Sequence, residues 1–559
     1  MTRSLVKCVG LLASLAWVAL PLAAQNSPRV EILTSVRHAV TPPLRDFVPF
    51  LHAHPNPPVH IFPLRKPNGG KPGGGGGGGS SWTDPDLVAP TTTGYDGLGS
   101  VFQGIANGCS PDNGCVPPDT NLSVSPTQIV QIVNVEFAIW NKPAFGVNPA
   151  APDLGPAPIH TIFTGLGAKD LCATTDGGDP IALWDKFDQR WIISQLAYNS
   201  SLSDNHWCLA ISKGTDAAGG SYDVYDFSFG SNFPDYPKLG IWLDGTTSGA
   251  TPGAYSGVYF SANTFANGNS FTGAQACAFP LSDVSSPPSA ITMTCLQQPS
   301  TVYNMLPADT DGADPGPAGF GDLYLQFLAN RGQGNTLDLY EFRPDFNAAA
   351  NSSFSLLQPI SVNTYHEACG GSSCIPQPGT REKLDSLGDR LMYRLAYRNS
   401  TAIPDTLFVN QSVRVSSSSS QTGIRWYEIQ YATSSPSVTQ GTYSPDASLY
   451  RWMGSMAADK YGNLGLGYSI SSSSTHPSLA FTGRTPGDIP SNALEPEKTI
   501  FIGPGSQTGV NRWGDYSSTA VDPSDDCTFW YTNEYLGQDG SYTNWNTIIS
   551  SFRFTGCPK

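Results

Sequence analysis

From Trp82 onward, apolar side chains fall in runs of four to eight β-formers bounded by Gly, Pro, Asn, Asp or Ser, and they almost never recur with the 3.6-residue period of an amphipathic helix. Residues 128–140, 191–198, 257–260, 323–327, 391–397, 423–429, 527–531 and 546–554 are the clearest runs. The region is therefore read as all-β. At roughly 480 residues it is too long for a single sandwich core, so the pattern requires several domains or a repeat.

A repeat is visible: a polar or Gly-Asp opening, a short apolar strand, an Asp-containing turn, then a second strand rich in aromatics. Asp179 opens the strand 180–184, which turns at 185–189 and continues at 190–195. Asp515 opens 516–521, turns at 522–526 and continues at 527–531. Residues 452–458, with their turn at 459–463 and strand at 464–468, align with the Asp515 unit without a gap. Weaker copies start near Asp119, Asp235 and Asp389, and one more fits between Asp309 and Phe327. Seven starts separated by about 55–80 residues leave room for four strands and generous loops in each unit. The expectation is an all-β, seven-bladed β-propeller over residues 82–559, with six or eight blades or two separate β-domains as the alternatives. Such a ring needs closure, and the C-terminal strand at 546–554 is expected to pair with an early strand between residues 87 and 102.

Upstream the pattern changes. Arg3 and Lys7 precede an uncharged apolar run at 9–22 and the small residues Ala23 and Ala24, the layout of a secretory signal peptide over residues 1–25. Residues 26–65 form a proline-dotted leader containing His52, His54 and His60, expected to be loosely ordered. Residues 66–81, with an unbroken glycine run from Gly73 to Gly79, form a flexible linker, so the leader is expected to be tethered to the globular part instead of packed into it. No run reaches the roughly 20 apolar residues of a membrane helix. The expected location is secreted, periplasmic or on the cell surface, as a monomer.

Cysteine usage agrees with export. Setting aside Cys8, ten cysteines remain, and pairing each with its nearest neighbour gives 109 with 115, 172 with 208, 277 with 295, 369 with 374, and 527 with 557. Thus Cys109, Cys115, Cys172, Cys208, Cys277, Cys295, Cys369, Cys374, Cys527 and Cys557 are read as five disulfides. A zinc site is disfavoured because there is no C-x2-C pair. Composition adds turns and acidity: 58 Gly, 47 Pro, only 13% charged residues and a net charge of -15. That balance argues against nucleic acid as a partner, since phosphate binding needs a cationic footprint.

The stretches Pro117-Pro118-Asp119-Thr120-Asn121, Gly178-Asp179-Pro180 with Trp184-Asp185 and Arg190-Trp191, Phe233-Pro234-Asp235-Tyr236-Pro237-Lys238, residues 383–390 and Arg512-Trp513-Gly514-Asp515-Tyr516-Ser517-Ser518 resemble a group of secreted bacterial β-propeller proteins of unassigned activity. The resemblance spans most of residues 95–557; it implies export and a propeller-like fold, and no reaction. A looser likeness is to sialidase-type propellers, from which the chain departs: it has no Ser-x-Asp-x-Gly-x-Thr-Trp box and no assignable arginine triad.

If the aligned openings are innermost strands, Asp119, Asp179, Asp235, Asp389 and Asp515 share one mouth of a channel and form an acidic funnel. Crowded, partly desolvated carboxylates have split pKa values, the condition for an acid and a base or nucleophile in glycoside hydrolysis. Asp179, Asp235, Asp389 and Asp515 are the candidate catalytic groups. Asp119, Arg390 and Arg512 with Trp452, Trp513 and Tyr236 are the candidate substrate contacts, supplying hydrogen bonds and flat faces for sugar rings. Equally, an Asp that opens a strand commonly caps a turn. The expected partner is a polysaccharide or other glycan, bound by a hydrolase or lyase or, alternatively, by a non-catalytic surface protein that binds glycan or protein. No cofactor is required. Calcium is the one ion suggested, at Asp309, Asp311 and Asp314, although the spacing is not that of an EF-hand. Zinc-protease, nucleophile-elbow and phosphate-loop motifs do not occur.

Overall fold

The structure, a computed structural model, describes residues 29–47, 60–61, 81–91, 97–106, 108, 115–245, 253–330, 332–431, 436–554 and 556–557. The expected signal peptide, nearly all of the glycine-rich linker, His52, His54 and Cys109 lie outside them. Among the described residues the strands gather into seven antiparallel groups of four. The first is Asn121–Val124, Gln128–Val133, Glu136–Asn141 and Leu154–Pro158. The second and third begin with Ile181–Asp185 and Asn232–Trp242. The fourth and fifth begin with Leu306–Asp311 and Met392–Arg398, and these two strands pair in parallel, joining their groups into one eight-stranded sheet. The sixth begins with Tyr450–Ala458 and the seventh with Ser518–Val521.

Each first strand contacts the next around the set, and the seventh returns to the first. Side chains of one first strand accept hydrogen bonds from the backbone of its neighbour. Asn121 Oδ1 accepts from Ala182 N at 2.9 Å, Ser123 Oγ from Trp184 N at 2.8 Å and Ser455 Oγ from Thr519 N at 2.9 Å. The seventh group is completed by Leu98–Gln103, which pairs antiparallel with Trp545–Phe552, the closure anticipated for the C-terminal strand.

Where a group is covered on both faces, inner strands such as Gln128–Val133 and Ile181–Asp185 are buried along their whole length. This explains continuous apolar runs where a half-exposed sheet would alternate. The core lies between successive groups. Leu183, Trp207, Tyr225, Phe260 and Phe279 share one such layer, and Leu466, Phe481, Phe529 and Phe552 another, with Phe481 stacked on Phe552 at 4.3 Å. Gly467 is small for a reason of this kind: a Cβ there would lie 2.5 Å from the Tyr531 ring of the next group. The run at 128–140 proves to be a hairpin, broken at Asn134 and Val135, the latter at φ 82°.

Four disulfides join the expected partners: Cys172–Cys208, Cys277–Cys295, Cys369–Cys374 and Cys527–Cys557. Cys115 is also disulfide-bonded. Disulfides persist in oxidising compartments, consistent with an exported protein. Among the described residues, no helix is long and apolar enough to cross a membrane.

The leader departs from expectation, because residues 29–47 are packed. Arg29–Thr34 extends the third group along Thr292–Gln297, and Arg37–Val40 extends the second along residues 223–226. Leu44 is fully buried near Phe163 and Tyr222. The physical reason is that the outermost strands of these two groups leave unpaired backbone edges, which the leader covers. Deleting residues 26–47 is therefore expected to lower Tm and to produce concentration-dependent self-association through the bared edges. Light scattering at several concentrations checks this; an unchanged monomer with unchanged Tm would refute it.

Candidate functional site

One backbone feature recurs at the opening of every group. Asp119, Asp179, Tyr236, Asn304, Leu387, Met453 and Gly514 have positive φ, at 47°, 50°, 57°, 49°, 44°, 55° and 108°. A left-handed residue ahead of or within each first strand turns the chain inward, and Asp and Asn tolerate this conformation better than most residues. Asp119, Asp179 and Asp515 thereby converge, with oxygens within 4.8 Å of one another, and all three are buried.

Hydrogen bonds hold them there. Asp119 accepts from Asn134 Nδ2 at 2.8 Å and from Asp515 N at 2.7 Å. Asp179 accepts from Tyr236 N at 2.9 Å, and its own N donates to Asn134 Oδ1 at 2.8 Å. Arg512 Nη2 lies 2.5 Å from Asp515 Oδ1. Lys238 Nζ sits 3.5 Å over the Tyr236 ring and 4.2 Å over that of Tyr516, and donates to Pro237 O. Burial, then the charges of Asp515 and Asp179, push the Asp119 carboxyl well above its ordinary value. Burial also raises Asp179, against the pull of Lys238. Burial lowers Lys238 to about 8, against the three aspartates.

The open acidic funnel is thus corrected to a closed knot of charge. Asp235 stands apart at a bulge in its strand, and Asp389 pairs with Arg390 Nε at 3.0 Å. Neither joins the three converging carboxylates. Trp452 and Trp513 are buried against each other, 5.7 Å between rings, with Trp513 Nε1 donating to Ser469 Oγ. They are core residues and offer no face to a sugar. Tyr236 and Arg390 are equally buried, the guanidinium 4.6 Å over the ring. Lys238, Asn134, Tyr516 and Glu534 belong to the knot and were not singled out from sequence. Lys238 stood within a quoted motif, but nothing in the pattern said that it points inward.

The space lies toward the other end of the first strands. A cavity of about 300 Å³ is lined by Leu122, Ser123, Trp184, Lys186, Phe187, Ile241, Asp309, Asp311, Tyr393, Arg394, Ser518 and Asp526. Arg394 Nη1 lies 3.3 Å from Asp309 Oδ2, and Nη2 lies 2.5 Å from Asp311 Oδ1. Asp309 Oδ1 accepts from Ile241 N at 3.1 Å, and Lys186 Nζ donates to Thr310 O. Asp526 is held by Arg398 at 2.6 and 3.0 Å. Burial raises Asp309, countered by Arg394, and lowers Lys186, countered by Asp311. Of the three aspartates expected to hold calcium, Asp309 and Asp311 face Arg394 and Lys186, while Asp314 is exposed.

No family model and no curated protein matches the chain. Among solved structures, an α-L-arabinofuranosidase of Fusarium graminearum bound to arabinobiose aligns over 86% of this chain and 100% of its own, at 9% identity and a TM-score of 0.32. A protein of unknown function from Dyadobacter fermentans aligns over 85% and 99%, at 8% identity and a TM-score of 0.31. An exo-β-1,3-galactanase of Phanerochaete chrysosporium bound to galactose aligns over 81% and 97%, at 10% identity and a TM-score of 0.28.

Proposed function

We propose that this protein is a secreted seven-bladed β-propeller that binds a glycan in the cavity inside its ring and cleaves it there. The cyclic contact of the seven first strands supports the blade count. The observation that carries the functional reading is the composition of the cavity: Trp184 and Phe187 supply rings, and Asp309 and Asp311 stand two residues apart on one strand, bridged by one guanidinium. Apolar rings with a few convergent polar groups suit a sugar, and two carboxyls within reach of one glycosidic bond are what its hydrolysis needs. Asp309, raised by burial, is the acid of the pair, and Asp311, in contact with Arg394 Nη2, is its partner. The four aspartates named from sequence as catalytic are replaced in this reading by these two.

The test is a screen of the purified protein against neutral and acidic polysaccharides, following reducing ends and unsaturated products. Asp309→Asn is expected to lower turnover by about 10²–10⁴-fold while calorimetry shows glycan binding retained. Turnover unchanged in both Asp309→Asn and Asp311→Asn would remove the proposed chemistry. A second reading, binding without turnover, is favoured by one specific contact, the engagement of both carboxylates with Arg394. Binding with no product from any polysaccharide would select it.

A further inference from the structure

The charged knot at the opening end of the channel has no part in the proposed glycan site, and its carboxyl groups crowd together. Asp119, Asp179 and Asp515 bring oxygens within 4.8 Å of one another. A fourth carboxylate, Glu534, is fully buried, and neither of its oxygens has a hydrogen-bond partner. It faces the same space: Glu534 Oε1 and Asp119 Oδ1 each lie 3.6 Å from where a Cβ on Gly514 would stand. Burial and the Asp119 charge act on it together. Lys238 and Arg512 are the cations beside these acids, while Arg390 is engaged with Asp389 and also feels Asp515.

We propose that Asp119, Asp179, Asp515 and Glu534 form a site for one divalent cation of the calcium class. A divalent ion among them would supply the positive charge that lets these carboxyls ionise together. The donors are all oxygen, the preference of a hard cation. The oxygens of Asp119, Asp179 and Asp515, up to 4.8 Å apart, fit around an ion whose ligands lie at about 2.3–2.6 Å, and Glu534 borders the same space beside Asp119. Each carboxylate oxygen carries two lone pairs, so the hydrogen bonds to Asn134, Tyr236 N, Asp515 N and Arg512 leave acceptor capacity for a metal. Gly514, at φ 108° and without a side chain, leaves the space beside Asp119 and Glu534 open. The ion would tie the opening of the first group to those of the second and seventh, and so lock the ring where its ends meet.

The experiment uses the full exported chain. After exchange into metal-free buffer, elemental mass spectrometry is expected to find about one calcium per chain. A chelator is expected to lower Tm by about 2–4 °C, reversed by Ca²⁺ on the order of 1 mM and not by Mg²⁺ at that concentration. Tb³⁺ should replace the ion and emit when the neighbouring Trp513 and Tyr516 are excited. Asp179→Asn and Glu534→Gln are expected to lose both signals, while Asp311→Asn, at the other end of the channel, keeps them. If the variants do not fold, the metal content and Tb³⁺ titration of the unaltered chain decide. No retained calcium together with no sensitised Tb³⁺ emission would overturn the site, as would loss of the metal in Asp311→Asn with retention in Asp179→Asn.

Discussion

Replacing Arg425 by alanine is expected to destabilise the protein by about 3–5 kcal/mol, the cost of leaving buried carboxylates without their cation. The Arg425 side chain is fully buried, with Nη2 2.5 Å from Asp84 Oδ1, Nη1 2.8 Å from Asp86 Oδ2 and Nε donating to Thr442 Oγ1 at 2.6 Å. Asp84 and Asp86 belong to the segment that follows the glycine linker, and through this contact they dock it onto the fifth group. Burial raises Asp84, and Arg425 is the main opposing influence. The measurement is the denaturant midpoint of Arg425→Ala, beside a triple variant that also carries Asp84→Asn and Asp86→Asn. The triple variant is expected to recover part of the loss, because it no longer buries unpaired charge. A change below about 1 kcal/mol in the single variant would show that the contact contributes nothing.

The second large effect is one of pH. With chelator present, so that the charged knot holds no metal, stability is expected to be greatest near pH 5 and to fall toward pH 7. Asp185, fully buried, is raised to about 7 by its burial and then by Asp188. Asp459 is raised to about 6 by burial, and Asp170 to about 6 by burial and Asp226. A carboxyl whose pKa is higher in the folded chain binds more protons there than in the unfolded chain. Its contribution is therefore complete below about pH 4 and lost as pH rises through 6 to 7. His206 acts in the same sense: burial lowers it, but the hydrogen bond and charge of Asp226 outweigh this and raise it. Asp446 and Asp216 are held below the ordinary carboxylate value by backbone hydrogen bonds, against their burial, and oppose the trend only at lower pH. Asp185 alone accounts for on the order of a few kcal/mol. Thermal melts from pH 4 to 8 check this, with Asp185→Asn expected to flatten the decline; a Tm that rises from pH 5 to 7 would contradict it.

Asp185 also shows how a repeated residue can be legible while its role is not. Its place in a turn could be read from the pattern, and it caps that turn by accepting from Phe187 N and Asp188 N. Asp459 does the same for Tyr461 N and Asn463 N. Such turns, the strands they join and the four observed disulfides depend on residues near one another in the chain. Hairpins and short loops are local, so their signals survive in one dimension. The closing strand was also foreseeable, because a ring of sheets must pair its ends.

What the sequence by itself determined, then, was an all-β chain of repeated local units with their turns and cysteine pairs. Tertiary structure alone decided the fate of the charged and aromatic side chains. Asp309 and Asp311 meet Arg394 across 83 and more residues of chain, and Asp119 meets Asp515 across 396. The tryptophans expected to face a sugar lie between sheets, and the leader expected to hang free completes two of them. Alternation along a strand says that neighbours point opposite ways, but in a sheet covered on both sides each direction is interior. Whether that interior is core, ion pair or cavity depends on the sheet that arrives against it.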